Sequence, residues 1–434
     1  YRLSIPSIYL TEAETIEFKE ESFDLTTTLK NHLITPHSTI LADVNVIGVE
    51  YVGQNSLKVR IYLEASGKFI LSLGYQNVEP CDGLIVKHNA QKVECARFIA
   101  PTEIIAENSV ELKEYVSDII LSDTEIYIKK VSTATDICEI VGEAQTYLTY
   151  VSGTELCSKI ITTPFERELL CEGVTEVDEA IIRACASAVN VTLNDDGGTQ
   201  TMMLEIVMEV NGYVIGKTES NFITDCYSKS YELKLNYAHA ELNENVCNQV
   251  STQKFSGNVS IDDGAEGKEV VCLGTPFVSA TNVTANDGVN VEGVVSLEVI
   301  YRNEQNTLDR VLAEVPYKFN FNEDFDCSGD LSAKVIVKEI SARMRYGYVE
   351  IVGEAAVELS GSKVKEFAYV ESVETLAPRE ENDAVISVYL VGEGECLFDC
   401  AKALCSTEAE LMALNPELTL PVKAGDKVLI YRPL

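Results

Sequence analysis

Val349-Glu-Ile-Val-Gly-Glu-Ala-Ala-Val-Glu-Leu359 is the stretch on which the fold turns. Val349, Ile351, Gly353, Ala355, Val357 and Leu359 share one parity, while Glu350, Glu354 and Glu358 fall on the other. A period of two sends alternate side chains to opposite faces of an extended strand, so one face suits a core and the other water. About 145 positions earlier, Leu204, Ile206, Met208 and Val210 alternate with Glu205 and Glu209 in the same way. About 147 positions before that, Leu57, Val59, Ile61 and Leu63 alternate with Ser56, Lys58, Arg60 and Tyr62. The chain repeats.

A second pair of segments fixes the register of the repeat. Gly142-Glu-Ala-Gln-Thr-Tyr-Leu-Thr-Tyr150 and Gly293-Val-Val-Ser-Leu-Glu-Val-Ile-Tyr301 are matching strands that end in tyrosine. Each leads through a polar, hairpin-like stretch to an apolar segment, with Pro164-Phe165 in one copy and Pro316-Tyr-Lys-Phe319 in the other. Tyr1 to Phe18 parallels Tyr150 to Phe165 and Tyr301 to Phe319, and the first residue is not Met. The expectation is a fragment that starts inside its first repeat, with the first strands missing. Richness in Val, Thr, Ile and Tyr, punctuated by Asn-Asp-Gly turns, implies all-β domains. The expected fold class is mainly β: tandem sandwich-like or open-barrel-like repeats over 1–85 (partial), 86–225 and 226–375. A linker over 376–384, polar with a proline, then leads to a small α+β module over 385–434. Outside that module, helix is expected only as a short turn near Glu103-Ile-Ile-Ala-Glu-Asn108.

The last fifty residues read differently. An extended run through Tyr389-Leu-Val391 meets Gly392-Glu-Gly394, which releases the chain from strand geometry. Leu397, Cys400, Ala401 and Leu404 then recur at helical spacing. Thr407 with Glu410 three residues later is a capping box for a second helix, which stops before Asn415-Pro416 because proline disfavours α geometry in the residue ahead of it. Val428 and Ile430, alternating with Lys427 and Leu429, supply a closing strand.

This landmark order resembles a LysM module, a family that folds as βααβ and typically binds N-acetylglucosamine polymers such as peptidoglycan or chitin. The resemblance implies a glycan- or partner-binding groove between Gly394, Glu395, Cys396 and Leu397 on one side and Leu414, Asn415, Pro416 and Glu417 on the other. The family usually has Gly-Asp-Thr or Gly-Asp-Ser where this chain has Gly394-Glu395-Cys396. A thiol is a weak acceptor, so the change is expected to weaken capping by ~1 kcal/mol and to remove one polar contact. The chain has no Trp, and Phe398 falls where the family buries an aromatic.

The pattern ahead of this module also carries a likeness. A strand with Gly-Glu ending in tyrosine at 141–150 and 291–301, then an apolar Pro-Phe strand and an Ala-x-Val-x-Val strand, resembles the SPOCS domain of clostridial spore-envelope proteins. Repeats of that domain followed by one LysM module are the arrangement of spore-coat assembly proteins, including the partner that anchors the coat's basement-layer ATPase to the forespore.

Composition bounds the chemistry. The chain has 434 residues, 46% of them hydrophobic, enough for several cores. Its net charge is −35, with acidic residues interspersed along the strands, a surface that repels phosphate backbones and argues against nucleic acid. A basic partner or bound cations fit it better, and the bland reading is a charge that keeps a large β protein soluble and blunts its sheet edges. No apolar run reaches the ~18 residues of a spanning helix. Thirteen cysteines lie scattered without a CxxC, which favours reduced thiols over a disulfide framework and indicates no metal site.

Catalytic signatures are missing from the sequence. His32, His37, His88 and His239 lie in no catalytic or zinc-binding spacing. There is no nucleophile elbow, no phosphate loop with its Lys and no His-Glu-x-x-His. Asn194-Asp-Asp-Gly-Gly198, Asp262-Asp-Gly264 and Asn286-Asp-Gly288 read as hairpin turns rather than calcium loops. No cofactor is implied. The expected function is a non-catalytic scaffold of a bacterial spore envelope, sited at the forespore surface in the mother-cell cytoplasm. Its terminal module would dock a protein partner or cortex glycan, and its sheets could self-assemble. The alternatives are a cell-surface peptidoglycan binder and, more weakly, an accessory to a cell-wall hydrolase.

Overall fold

The computed structural model describes residues 2–10, 16–26, 28, 30, 39–52, 58–70, 75–76, 78–79, 81–195, 200–261, 267–285, 288–321, 326–380 and 385–431. Among the described residues it is mainly β, with antiparallel sheets, two short helices and no closed barrel. The strands are β1 (Arg2–Leu10), β2 (Ile16–Asp24), β3 (Thr39–Val52), β4 (Lys58–Ile70), β5 (Leu84–Leu112), β6 (Asp118–Ala134), β7 (Ile137–Ser152), β8 (Glu155–Leu170), β9 (Glu179–Asp195) and β10 (Gln200–Ser228). They continue with β11 (Tyr231–Ser260), β12 (Gly267–Leu273), β13 (Phe277–Ala285), β14 (Val289–Asn303), β15 (Leu308–Phe321), β16 (Leu331–Arg345) and β17 (Tyr348–Pro378). The chain ends with β18 (Ile386–Leu390), α1 (Leu397–Ala403), α2 (Glu408–Leu414) and β19 (Lys427–Tyr431).

Two units are built from interleaved segments. The first contains Tyr1–Ser72, Glu94–Gly216 and Asn243–Val364; the second contains Leu73–Val93, Lys217–Leu242 and Lys365–Leu434.

In the first unit, β7 is the central strand of β6-β7-β8, and β14 is central to the sheet of β12 to β15. These are the strands that carry the two tyrosine-ended segments. β12 and β13 pair with consecutive stretches of β14, Leu273 opposite Val299 and Phe277 opposite Ser296, so they tile one edge while β15 takes the other. Sheet β6-β7-β8 shares a core with the first-unit parts of β5-β10-β9, through Ile140, Phe165, Ile182, Ile206 and Met208. The β12–β15 sheet likewise shares a core with β11-β17-β16, through Val295, Phe319, Val337, Ile351 and Val357.

The expected alternation is visible in burial. Leu204, Ile206, Met208 and Val210 are buried while Glu205 and Glu209 are exposed. Val349, Ile351, Ala355, Val357 and Leu359 are buried as well. In β4, Leu63 is exposed; Ser56 and Leu57 lie outside the described residues. Tyr1, His32, His37, Asp196–Gly198, Asp262–Gly264 and Asn286–Asp287 also lie outside them. The short turn expected near Glu103–Asn108 is instead a continuous part of β5. Ile104 and Ala106 are buried at period two beside β10, and that pairing overrides the helix-favouring Glu-Ile-Ile-Ala-Glu composition.

Two glycines mark where backbone and ring meet. A Cβ on Gly142 would collide with the Phe165 ring and the Tyr127 carbonyl, and one on Gly353 with the Phe255 ring and the Glu339 carbonyl. Each glycine precedes the glutamate of a Gly-Glu pair and lets a cross-strand aromatic lie directly on the sheet.

In the second unit, segments of β5 with β10 and of β11 with β17 enclose a core of Phe222, Ala240 and Tyr369, extended by Ile223, Cys226 and Val370. Tyr75, Phe222, Phe367 and Tyr369 form a cluster of edge-on ring contacts. Leu376–Pro378 complete β17, and the Arg379 N–H donates to the Ser230 carbonyl at 2.9 Å. No helix among the described residues is long and apolar enough to cross a membrane.

Candidate functional site

The terminal segment is assembled by local chemistry. β18 and β19 pair antiparallel, from Ile386 opposite Tyr431 to Leu390 opposite Lys427. Beyond β18 the chain turns at Gly394, whose φ of 80° lies in the left-handed region that glycine enters without strain. Glu395 closes this turn, since its carboxylate accepts the Gly392 N–H and the Tyr389 hydroxyl at 2.8 Å each. That carboxylate holds the Tyr389 phenol above its ordinary value.

Cys396 occupies the N-cap of α1, and the Asp399 carboxylate accepts its N–H at 2.8 Å. The weak thiol cap expected from the sequence is thus offset by the reciprocal half of a capping box and by an acid in the first turn. Burial pushes the Asp399 carboxyl up, but the Cys396 amide and thiol and the Lys87 ammonium outweigh it, leaving the group below its usual range. On α2, Glu410 N–H donates to Thr407 Oγ1 at 3.1 Å and Thr407 N–H donates to Glu410 Oε2 at 2.9 Å, the expected capping box.

The eight candidate residues fall into three groups. Gly394, Leu414, Pro416 and Glu417 are exposed, Glu395 and Cys396 are half-buried, and Leu397 and Asn415 are buried. Leu397 belongs to the core of the module with Leu404, Leu411, Val428 and Ile430. Asn415 ties α2 to β19: its Nδ2 donates to the Leu411 and Leu429 carbonyls at 2.8 and 2.7 Å, and its Oδ1 accepts the Leu429 N–H at 2.8 Å. Two of the polar side chains best suited to grip a sugar, Glu395 and Asn415, are therefore engaged inside the module. Phe398 is buried edge-on to Tyr227, ring centroids 5.2 Å apart, with the Lys87 Nζ 5.5 Å from its centroid.

Those last two residues come from strands far upstream, and they introduce contacts that sequence reasoning missed. Within the second unit, the Lys402 ammonium donates to both Asp225 oxygens at 2.6 and 2.7 Å, and Lys229 donates to both Glu410 oxygens at 2.8 and 3.1 Å. Lys87 lies 3.5 Å from Asp399, and the Tyr227 hydroxyl donates to the Ser406 carbonyl at 2.6 Å. Burial pushes the Tyr227 phenol up to about 12. Lys229, Ser406 and the Thr407 amide draw Glu410 down to about 2. The helices of the terminal segment are thus fastened to a sheet, through side chains other than those of the exposed Leu414, Pro416 and Glu417. No local pattern marked Asp225, Tyr227 or Lys229, because the first two sit on an ordinary strand and the third in the bend just after it, each with a partner about 180 residues away in sequence.

Among the described residues, no group of three His, Cys, Asp or Glu side chains is placed to hold a metal ion. His88 and His239 are exposed. Cys138, Cys171, Cys226, Cys247, Cys272 and Cys400 are buried as small apolar side chains, whereas Cys81, Cys95 and Cys185 are exposed. What the rim offers is backbone, two apolar side chains and one carboxylate. Comparison of the chain with protein-family models, with curated proteins and with solved structures finds no match.

Proposed function

We propose that this chain is a non-catalytic scaffold of the bacterial spore envelope whose LysM-like terminal module docks a protein partner. The order of segments, SPOCS-like β repeats and then a LysM-like module, supports the envelope setting. The observation that carries the choice of protein over glycan is the state of the rim. Glu395 is spent on Gly392 and Tyr389, Asn415 on Leu411 and Leu429, and Phe398 is buried, leaving Leu414, Pro416 and Glu417 outermost. Sugar recognition relies on convergent polar groups beside an exposed ring, whereas an apolar rim with one charge suits a protein surface.

The test has two arms on the full chain. Co-sedimentation with purified peptidoglycan should show no binding beyond a bovine albumin control, and a tagged copy should gather on the forespore during sporulation. The variant Leu414→Ser/Glu417→Ala, both positions exposed, should fold normally and lose forespore enrichment at least tenfold. Saturable peptidoglycan binding would return the module to glycan recognition. Uniform labelling of vegetative walls without forespore enrichment would favour a cell-surface binder instead.

A further inference from the structure

The two-stranded sheet of the terminal module has a second face, turned away from α1 and α2. Val428 and Ile430 point into the core, so by the period of two Leu429 and Tyr431 point outward. The register of β18 against β19 then sets Ile386 beside Tyr431, Val388 beside Leu429 and Leu390 beside Lys427 on that outer face. In a chain with 69 acidic residues this face carries none, and its only charge is Lys427 at one corner.

Its apolar side chains are left open. Ile386 is 65% exposed, Val388 58%, Leu390 62%, Leu429 45% and Tyr431 56%. Solvent-facing strands of small antiparallel sheets ordinarily alternate to polar residues there, as β10 does with Glu205 and Glu209. These exposures amount to roughly 500 Å² of contiguous apolar surface, the size of patch that on monomeric proteins commonly marks an interaction site.

We propose that this face is a self-association surface, on which a second copy of the chain packs its own β18–β19 sheet face to face. Two such faces bury at most roughly 1,000 Å² together, the size of a weak, reversible interface. The shape is self-complementary. A short antiparallel pair has a local two-fold axis through its middle cross-strand pair, Val388 with Leu429, so one flat apolar face meets an identical one at the ~10 Å spacing of stacked sheets. The face uses none of the exposed residues Gly394, Leu414, Pro416 and Glu417, so its side chains are a different set from those offered for partner docking.

Electrostatics gives this interface a signature. Two chains of charge −35 repel each other, while the contact itself is apolar, so salt should strengthen association by screening the repulsion. Sedimentation equilibrium of the full chain from about 1 to about 100 µM should show a monomer–dimer equilibrium whose midpoint falls as salt rises. Val388→Lys and Leu429→Lys replace exposed side chains and should leave the circular dichroism spectrum and melting temperature unchanged while raising the dissociation constant at least tenfold. Val388→Thr, a milder change, should raise it by a smaller factor. A chain that stays monomeric through this range, or one that dimerises with equal affinity in both lysine variants, would overturn the proposal. So would a dimer that salt dissociates.

Discussion

The Asn415 side chain has two donor hydrogens and one carbonyl oxygen, and all three are committed to backbone groups of Leu411 and Leu429. Proline at 416 ends α2, and the amide just before it then serves the neighbouring strand in place of a further turn of helix. Removing it strands a part-buried N–H and a part-buried carbonyl of Leu429 in β19 together, and with them its bond to the Leu411 carbonyl. Asn415→Ala should therefore cost about 2–3 kcal/mol. The expected reading is a lower urea midpoint with an unchanged slope, and faster hydrogen exchange at the Leu429 amide than at any other residue of β19. Asn415→Asp keeps the acceptor and loses the donors, so it should fall between the two. The sequence drew attention to this residue as a groove contact, whereas geometry makes it a brace. That difference was not legible, since Asn-Pro after a helix reads identically in both roles until the position of β19 is known.

Strands were the most legible elements. Their alternation is a local property, and burial of Leu204, Ile206, Met208 and Val210 follows from it directly. The capping box of α2 was legible for the same reason, because Thr407 and Glu410 are three residues apart. The β5 segment at Glu103–Asn108 was not, because its conformation is decided by β10, roughly a hundred residues later. Gly142 and Gly353 fall between these cases: the Gly-Glu pairs were visible, but the rings lying on the glycines were not. Gly142→Ala and Gly353→Ala should each lower stability by about 1–3 kcal/mol, since the added methyl meets both a ring and a carbonyl. Trimming the ring as well, in Gly353→Ala/Phe255→Leu, should recover part of that loss because the obstructing atoms are gone. Thermal melts of the single and double variants check the sign, and a double variant as damaged as the sum of its parts would exclude the steric cause.

For the molecule as a whole, charge and acid set the working range. At neutral pH the chain carries −35 and repels itself; near its isoelectric point of about 4.4 that repulsion vanishes. The fastening of the terminal helices behaves differently. Glu410 titrates near 2 in the folded chain against an ordinary 4.5, so its contribution is complete above about 4.5, declines below that, and is lost as pH falls through about 2. Because Glu410 is half-exposed, this amounts to about 1 kcal/mol at most. Stability should hold from neutral pH to about 4.5 and fall on the acid side, and Glu410→Gln should flatten part of that acid limb. Urea midpoints across the pH range measure both.

The interleaving of the two units also has a consequence in time. The second unit needs its first segment, which ends at Val93, to meet a last segment that begins at Lys365. A ribosome adding about 5–20 residues per second leaves the earlier strands waiting roughly 15–55 s for their partners. Through roughly the second half of that interval Phe222, Ile223 and Tyr227 have been made but lack the tail that covers them. Lys365–Leu434 thus acts as a late stitch of the second unit, and a nascent chain interrupted before Lys365 is left with apolar strands for chaperones to hold.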